Sequence, residues 1–524
     1  IDIKTLGRSS IFGIVAELWR IGSRFVLSPV IIAAVGLEGY GTWTLVFSVA
    51  AYLSTVNTSF GVAYSRYTAE CARTQEWERL GRICAAGMVS LGALALAAFA
   101  TSFWWGPPLL RALELPAELL DDAAIALSIV FGVLVLRMSV GAALEVLAGL
   151  QRIDLTYRIG IVASIVEFVV VLPLLYAGFG LPGLAIGFAA GQLLSFAWAW
   201  GLMRRHAPLL RIRPLAVDRT SLRQMLSLGG RFQLLAFGNT ALTEGLKFVI
   251  SIVVDVRAVA AYDLCDKLVT LSRSVITAVI APMMPAFAHV QAGNEVEKER
   301  RLMIRATRVG VLAGAMSLVF VAVLAEPIIL AWTGEHVPLA VIAIRVVLIG
   351  DLAVHLTGMM SANTRARGLI GPEMQAALVS GTVFVAVLVP LARMFEFAGL
   401  VWTRSLAGLA FTIWFMRFSR LVSGMSPLAY LRAAHVHRIA LLAAACAAMV
   451  LLGRALPGEW AGFVPSERWR AVVEVVAWSV PYGLAAALGA WWYVLDHADR
   501  LALTGLVQAR LRRRAATQTD SPAP

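Results

Sequence analysis

The sequence predicts an all-α polytopic membrane protein of about 14 transmembrane helices, built as two parallel six-helix pseudo-repeats plus two extra C-terminal helices. Three observations predict it. The 524 residues are 59% hydrophobic and 15% charged, with a mean hydropathy of +0.79. A soluble chain carries roughly 25% charged residues, so an ordinary soluble protein, a disordered chain and a disulfide scaffold are all excluded. The apolar residues come in blocks of helix length and not in alternating stretches of about ten, which excludes a transmembrane β-barrel. Basic residues gather in every second loop, and they account for a net charge of +13 that is large for a chain mostly immersed in lipid.

About twenty apolar residues cross the hydrocarbon. That ruler places spans at 9–35, 40–64, 83–105, 122–148, 159–179, 181–203, 226–253, 258–285, 306–332, 338–362, 374–394, 397–417, 438–456 and 471–495. Spans 5 and 6 are divided only by a short turn near Gly178 and Pro182, and spans 1, 7 and 8 are polar for lipid-facing helices. The first block is too long and too charged for the core of a cleavable signal peptide and reads as a permanent span. With an even number of spans both termini share one side. The loops of that side carry about thirty Lys and Arg, against about six on the other, which places both termini in the cytoplasm. The positive excess is thus a topology signal and an attraction to anionic lipid, not a sign of nucleic-acid binding. No loop exceeds about 25 residues, which leaves no room for a soluble catalytic domain. Cys71, Cys84, Cys265 and Cys446 show neither a pairing pattern nor metal-ligand spacing and read as small apolar packing residues.

An internal repeat organises the spans. Arg24 and the four residues after it resemble Lys247 and its four successors, at an offset of 223. Tyr40 matches Tyr262 at 222, while Glu76 matches Glu295 and Gly149-Leu150 matches Gly368-Leu369, both at 219. The offset covers an even number of spans, so the halves share one orientation and are related by an axis along the membrane normal. The expected organisation is a first lobe at 1–205, a cytoplasmic linker at 206–225, a second lobe at 226–420, an appended helix pair at 421–495 and a basic cytoplasmic tail at 496–524.

Charges inside the spans are the functional candidates, because a mid-bilayer charge costs roughly 2.5–3.5 kcal/mol and is met in a bundle interior or a wet cavity. Glu17, Arg20 and Arg24 fall on one face of span 1, and Glu244 and Lys247 repeat the three-residue spacing in span 7. Facing each other across two lobes, they would line a polar cavity suited to phosphate or pyrophosphate through charge-assisted hydrogen bonds. The bland alternative is that Glu17–Arg20 and Glu244–Lys247 are internal ion pairs. Arg137 lies in span 4 with no acid one turn away, and Arg273 in span 8 is locally unpaired. The expected substrate cavity is therefore Arg20, Arg24, Arg137, Lys247 and Arg273. Glu17, Glu244, Asp351 and His355 are the expected cavity acids or ion-coupling groups. Asp351 and His355 share a face of span 10 and would relay a proton or bind a monovalent cation, or simply satisfy each other. Asp263 and Lys267, four apart, favour a structural pair; Glu167 and Glu474 stand isolated.

No Walker A loop, paired CxxC, HExxH or GxSxG elbow occurs, so neither a catalytic nor a metal site is expected, and transport would be driven by something other than ATP hydrolysis in this chain.

The run Gly36-Leu37-Glu38-Gly39-Tyr40-Gly41-Thr42-Trp43, the stretch Arg66-Tyr67-Thr68-Ala69-Glu70, and the segments Gly149-Leu150-Gln151-Arg152 and Ala261-Tyr262-Asp263-Leu264 carry a resemblance. Together they resemble bacterial polysaccharide (O-antigen-type) lipid-linked oligosaccharide flippases of the multidrug/oligosaccharidyl-lipid/polysaccharide exporter superfamily. The resemblance covers spans 1–12. It implies two six-helix lobes around a cavity that opens alternately to each side, with spans 13 and 14 helping to make a groove for a polyprenyl tail. It implies a non-enzymatic transporter in the bacterial inner membrane that flips an undecaprenyl-pyrophosphate-linked oligosaccharide for surface polysaccharide export. Its partners would be that lipid-linked glycan, membrane lipid and a polysaccharide polymerase or export machinery, with the chain itself monomeric. A lipid II-type flippase is a further alternative, although the strongest motifs of that branch are not clearly matched. A cation-coupled multidrug antiporter of the same superfamily is the competing reading; such proteins usually stop at twelve spans and favour an acidic pocket. A membrane glycan polymerase or ligase would need a sizeable outer loop bearing catalytic residues, and the outer loop near 106–121 is short and lacks His.

Overall fold

A computed structural model describes residues 3–213, 217–280, 283–293, 295–369, 371–455 and 464–501. The described residues form an all-helical membrane fold with no strand among them. Ten helices are long and apolar enough to cross a membrane. Two of the ten, of 50 and 46 residues, are long enough to cross twice, and the segments read as spans 7 and 8 are not among the ten.

The chain divides into two compact units, residues 1–264 and 265–524. The first begins with α1 (Ile3–Thr74), which holds spans 1 and 2 and turns at Gly36, where φ is +71°. A glycine reaches that left-handed geometry without the Cβ clash that other residues meet. It continues through α2 (Trp77–Ala112), α3 (Leu120–Val140), α4 (Ala142–Gly149), α5 (Ile153–Tyr176), α6 (Gly180–His206), α7 (Arg219–Val253) and the start of α8 (Val256–Ile280). The second half of α1 runs antiparallel along α7: Ser48 Oγ donates to Glu244 Oε2 at 2.7 Å, and the hydroxyls of Thr55 and Thr240 lie 2.9 Å apart. Its apolar core gathers Phe60, Leu80, Ile83, Met138, Leu147 and Ile159 where α1 meets α2 to α5. Cys71 and Cys84 lie in that core, and Cys265 and Cys446 are buried too, all with free thiols.

The second unit comprises the rest of α8, then α9 (Met283–Ala292), α10 (Val296–Val323), α11 (Ala325–Thr333), α12 (Pro338–His355), α13 (Gly358–Ala366), α14 (Gly371–Met416), α15 (Ser419–Ser423), α16 (Pro427–Ala433), α17 (Val436–Ala455) and α18 (Glu467–Gly489), which ends in a π-type turn at Ala490–Val494. The double-length α14 kinks at Glu396, between the expected spans 11 and 12. One apolar cluster joins Phe287, Met303, Met360, Phe415 and Tyr430. Another packs the appended pair α17 and α18 onto α10, through Val311 and Ala315 against Ile439, Cys446 and Tyr482.

Ion pairs lock the appended pair at both ends. At one end Arg305 Nε donates to Asp499 at 2.6 Å, and Arg308 donates to Asp496, to Asp499 and, at 2.9 Å, to the carbonyl of Ala433. At the other end Arg454 Nε reaches Glu474 Oε1 at 2.6 Å, which gives the isolated Glu474 a partner on the facing helix. Arg468 caps the end of α11 through the carbonyls of Ala331 and Trp332.

Candidate functional site

The two halves share an irregularity that the apolar pattern hides. Span 4 is not one helix: α3 stops at Val140, and α4 begins at Ala142. Span 10 is its repeat partner, and it breaks too, between the end of α12 at His355 and the start of α13 at Gly358. From Gly141 to Gly358 the offset is 217, close to the 219 of the flanking sequence match. Interrupted helices at corresponding positions of two repeats are the usual pointer to a transporter's binding site, because they free backbone groups and admit polar side chains at membrane depth. At the first break the freed carbonyl of Val140 accepts from Trp200 Nε1 at 2.8 Å, and Gly141 N donates to Arg137 O at 2.7 Å. A Cβ at position 141 would lie 2.2 Å from that same carbonyl oxygen, so the close turn requires glycine.

Arg137 occupies the last turn of α3, directly before the break, and is partly buried. Among the described residues none hydrogen-bonds its guanidinium or closes an ion pair with it. Glu145, on α4, acts on it electrostatically without contact. The Glu145 carboxylate instead accepts from Ser65 Oγ at 3.3 Å. Nearby, the buried hydroxyl of Tyr64 has no partner among the described residues. These groups form a polar cluster of the first unit, in which no carboxylate closes an ion pair with Arg137 among the described residues. Sequence spacing did not connect Glu145, an acid inside the same span, with Arg137, and it gave no sign of Ser65 or Tyr64, because α1 approaches α4 only in the fold.

The other expected site residues fall into different surroundings. Glu17, Arg20 and Arg24 have side chains outside the described residues. Lys247 is 7% exposed and lies 3.0 Å from both Glu244 Oε2 and Asp263 Oδ1. Asp263 Oδ2 also accepts from the Tyr40 hydroxyl at 2.6 Å. Lys247 and Glu244 thus make the internal ion pair that their spacing allowed, extended by an acid the spacing did not indicate. In the second unit Arg273 Nη2 donates to both carboxylate oxygens of Asp351, at 2.9 and 2.8 Å. Arg404 Nη1 donates to Asp266 at 2.8 Å. His355 is buried, and its Nε2 has no partner among the described residues. The structure therefore brings Arg273 to Asp351, which sequence reasoning treated apart. An apolar cavity of about 460 Å³ opens in the first unit beside Tyr52, Leu94, Trp105, Phe131 and Phe248. Its lining holds no charged side chain and offers no cation to an anion. Among the described residues no cluster of His, Cys, Asp and Glu is arranged to hold a metal ion.

Residues 117–338 match the family model of polysaccharide biosynthesis proteins. No curated protein matches the chain. Solved structures do. A lipid II flippase, MurJ, in an inward closed conformation superposes with a TM-score of 0.69 at 13% identity, covering 91% of this chain and 99% of that one. An inward-facing multidrug resistance MATE family transporter of the MOP superfamily gives a TM-score of 0.64 at 14% identity, over 78% of this chain and 95% of that one. A MOP superfamily transporter from Pyrococcus furiosus, described as having a binding pocket of reverse polarity, gives 0.58 at 15% identity, over 80% and 96%. At these identities the likeness is one of fold. The matched segment and the shared fold together support the resemblance to the polysaccharide flippase family drawn from the sequence.

Proposed function

We propose that this chain, which has the fold of the MOP-superfamily transporters and carries a polysaccharide-biosynthesis segment, flips an undecaprenyl-pyrophosphate-linked oligosaccharide across the bacterial inner membrane by alternating access. Both termini lie in the cytoplasm in this reading, as the loop charges require. The observation that carries it is Arg137, a cation next to a break in span 4 that recurs in span 10, with no carboxylate closing on it among the described residues. A guanidinium left open at membrane depth fits a ligand that brings its own negative charge, and its planar fork of donors matches phosphate oxygens. The cation-coupled multidrug antiporter would need an acidic pocket. Here Glu244, Asp263, Asp266 and Asp351 each hold a basic side chain, which disfavours that reading.

The test is Arg137→Gln in the full chain. A charge-assisted hydrogen bond is worth about 1.5–3 kcal/mol, so binding of a soluble probe, farnesyl pyrophosphate, should weaken by roughly 10- to 150-fold. Surface polysaccharide should fall while the protein stays in the membrane. Unchanged probe binding together with full polysaccharide output would overturn the reading.

A further inference from the structure

The second unit contains an ion pair with two unequal partners. The Asp351 side chain is 13% exposed, whereas that of Arg273 is 42% exposed. A guanidinium inside a membrane span does not front hydrocarbon, so its open side faces hydrated space. Only one of its terminal nitrogens, Nη2, is engaged by Asp351, which leaves other donors of the fork available. One turn beyond Asp351 on the same helix face stands His355, nine-tenths buried, with Nε2 unpartnered among the described residues. The helix breaks immediately after it.

Few other charges surround the group. α8 carries Arg273, with Asp266 and Lys267 nearly two turns before it, and α12 itself carries Arg345 six residues before Asp351. Along α14, Arg404 is held by Asp266. Towards the His355 ring α10 presents Gly314, and it has no ionisable residue beyond Arg308. The Glu326 side chain of α11 is exposed. Asp351 therefore depends on Arg273 for its counter-charge among the described residues.

We propose that Asp351 stands in for the anion of the substrate: it holds Arg273 in the empty carrier, and yields it to a phosphate or pyrophosphate oxygen when substrate enters, taking up one proton as it loses its cation. The exchange rests on the anionic-substrate reading above. Two N–H···O bonds from Arg273 to the carboxylate break, and N–H···O bonds to the phosphate form. A carboxylate stripped of its cation in a low-dielectric interior is neutralised, so one O–H bond forms on Asp351 with a proton drawn from the hydrated space. The new carboxyl finds a hydrogen-bond partner in the idle Nε2 of His355. Release of the substrate reverses each step: the proton leaves, and Asp351 recaptures Arg273. Asp351 is thus a positioning residue that makes anion binding reversible and ties it to a proton.

The experiment uses the purified full chain in weakly buffered detergent solution, titrated with farnesyl pyrophosphate and followed in parallel by calorimetry and a pH-indicator dye. About one proton should be taken up per probe bound. Asp351→Asn, which keeps the side-chain shape, should abolish the uptake. It should also bind the probe more tightly, on the order of tenfold, because the resident competitor is weakened. Uptake unchanged in Asp351→Asn, or binding no tighter than in the parent, overturns the exchange. If the parent binds the probe without proton uptake, the exchange alone falls. If the parent does not bind the probe at all, the anionic-substrate reading falls and the exchange with it. A thermal midpoint for Asp351→Asn close to the parent's separates these outcomes from misfolding.

Discussion

Lys247 Nζ lies 3.0 Å from Asp263 Oδ1 and at the same distance from Glu244 Oε2, so one buried ammonium stands between two carboxylates of the first unit. Removing one partner of a buried ion pair strands the other, at a cost of about 3–5 kcal/mol. Lys247→Met should therefore lower the thermal midpoint of the detergent-solubilised chain sharply. The double variant Lys247→Met/Asp263→Asn, with one stranded charge fewer, should recover part of that loss. A Lys247→Met midpoint equal to the parent's would show that the ammonium does not hold the carboxylates.

Gly141 tests the break in span 4. An alanine there would place its Cβ 2.2 Å from the Arg137 carbonyl oxygen, so the turn must open and carry Arg137 with it. Forcing a methyl into a close-packed site typically costs 1–3 kcal/mol. Gly141→Ala should weaken farnesyl pyrophosphate binding more than it lowers stability. Gly132→Ala on the same helix is the control, since its added Cβ would meet only Phe99 at 4.0 Å. Equal probe affinity in the two variants would remove the break from the site.

What the sequence makes legible here follows from range. Contacts within one helix repeat at three or four residues, and the Glu244–Lys247 pair was readable for that reason. The turn at Gly36 fell between two apolar blocks and matched the boundary drawn between spans 1 and 2. Pairing between helices depends on which faces meet, and no spacing encodes it. Asp263 reaches Lys247 from 16 residues away, and Arg273 meets Asp351 across 78. The break at Gly141 was hidden because the apolar residues continue on both sides of it, so block length alone reads 122–148 as one helix. The internal repeat held a clue that spacing did not: span 10 carries Gly358 at nearly the same place.

The appended pair makes a test of what binds helices in lipid. Val311 and Ala315 on α10 are each 2% exposed beneath α17 and α18. Uncovering them costs little, because lipid tails are as apolar as the helices they would replace. Arg308 is different: its side chain is 5% exposed and loses Asp496, Asp499 and the Ala433 carbonyl together. A chain ending before residue 433 should accumulate poorly as monodisperse membrane protein, judged by fluorescence-detected size exclusion. Adding Arg305→Leu and Arg308→Leu to the truncated chain should restore much of it. If those substitutions bring no recovery, packing and not stranded charge governs the attachment.

The same knot should respond to acid in a definite direction. Burial pushes the Asp499 carboxyl up, but the hydrogen bonds and charges of Arg305 and Arg308 outweigh it and leave the group below its ordinary range. The folded state then prefers the ionised form more strongly than the unfolded state does. Its contribution is fully present above the unfolded value of about 3.9 and is lost as pH falls through the lower folded value. The thermal midpoint should hold from about pH 8 to pH 5 as far as this group is concerned, and decline below about pH 4. Asp499→Asn cannot ionise, so it should start lower at neutral pH and show a shallower acid decline. Parallel acid curves for the parent and Asp499→Asn would mean that other carboxylates carry the decline. A parent curve that rose on acidification would contradict the sign itself, since protonating Asp499 removes the partner that Arg305 and Arg308 share.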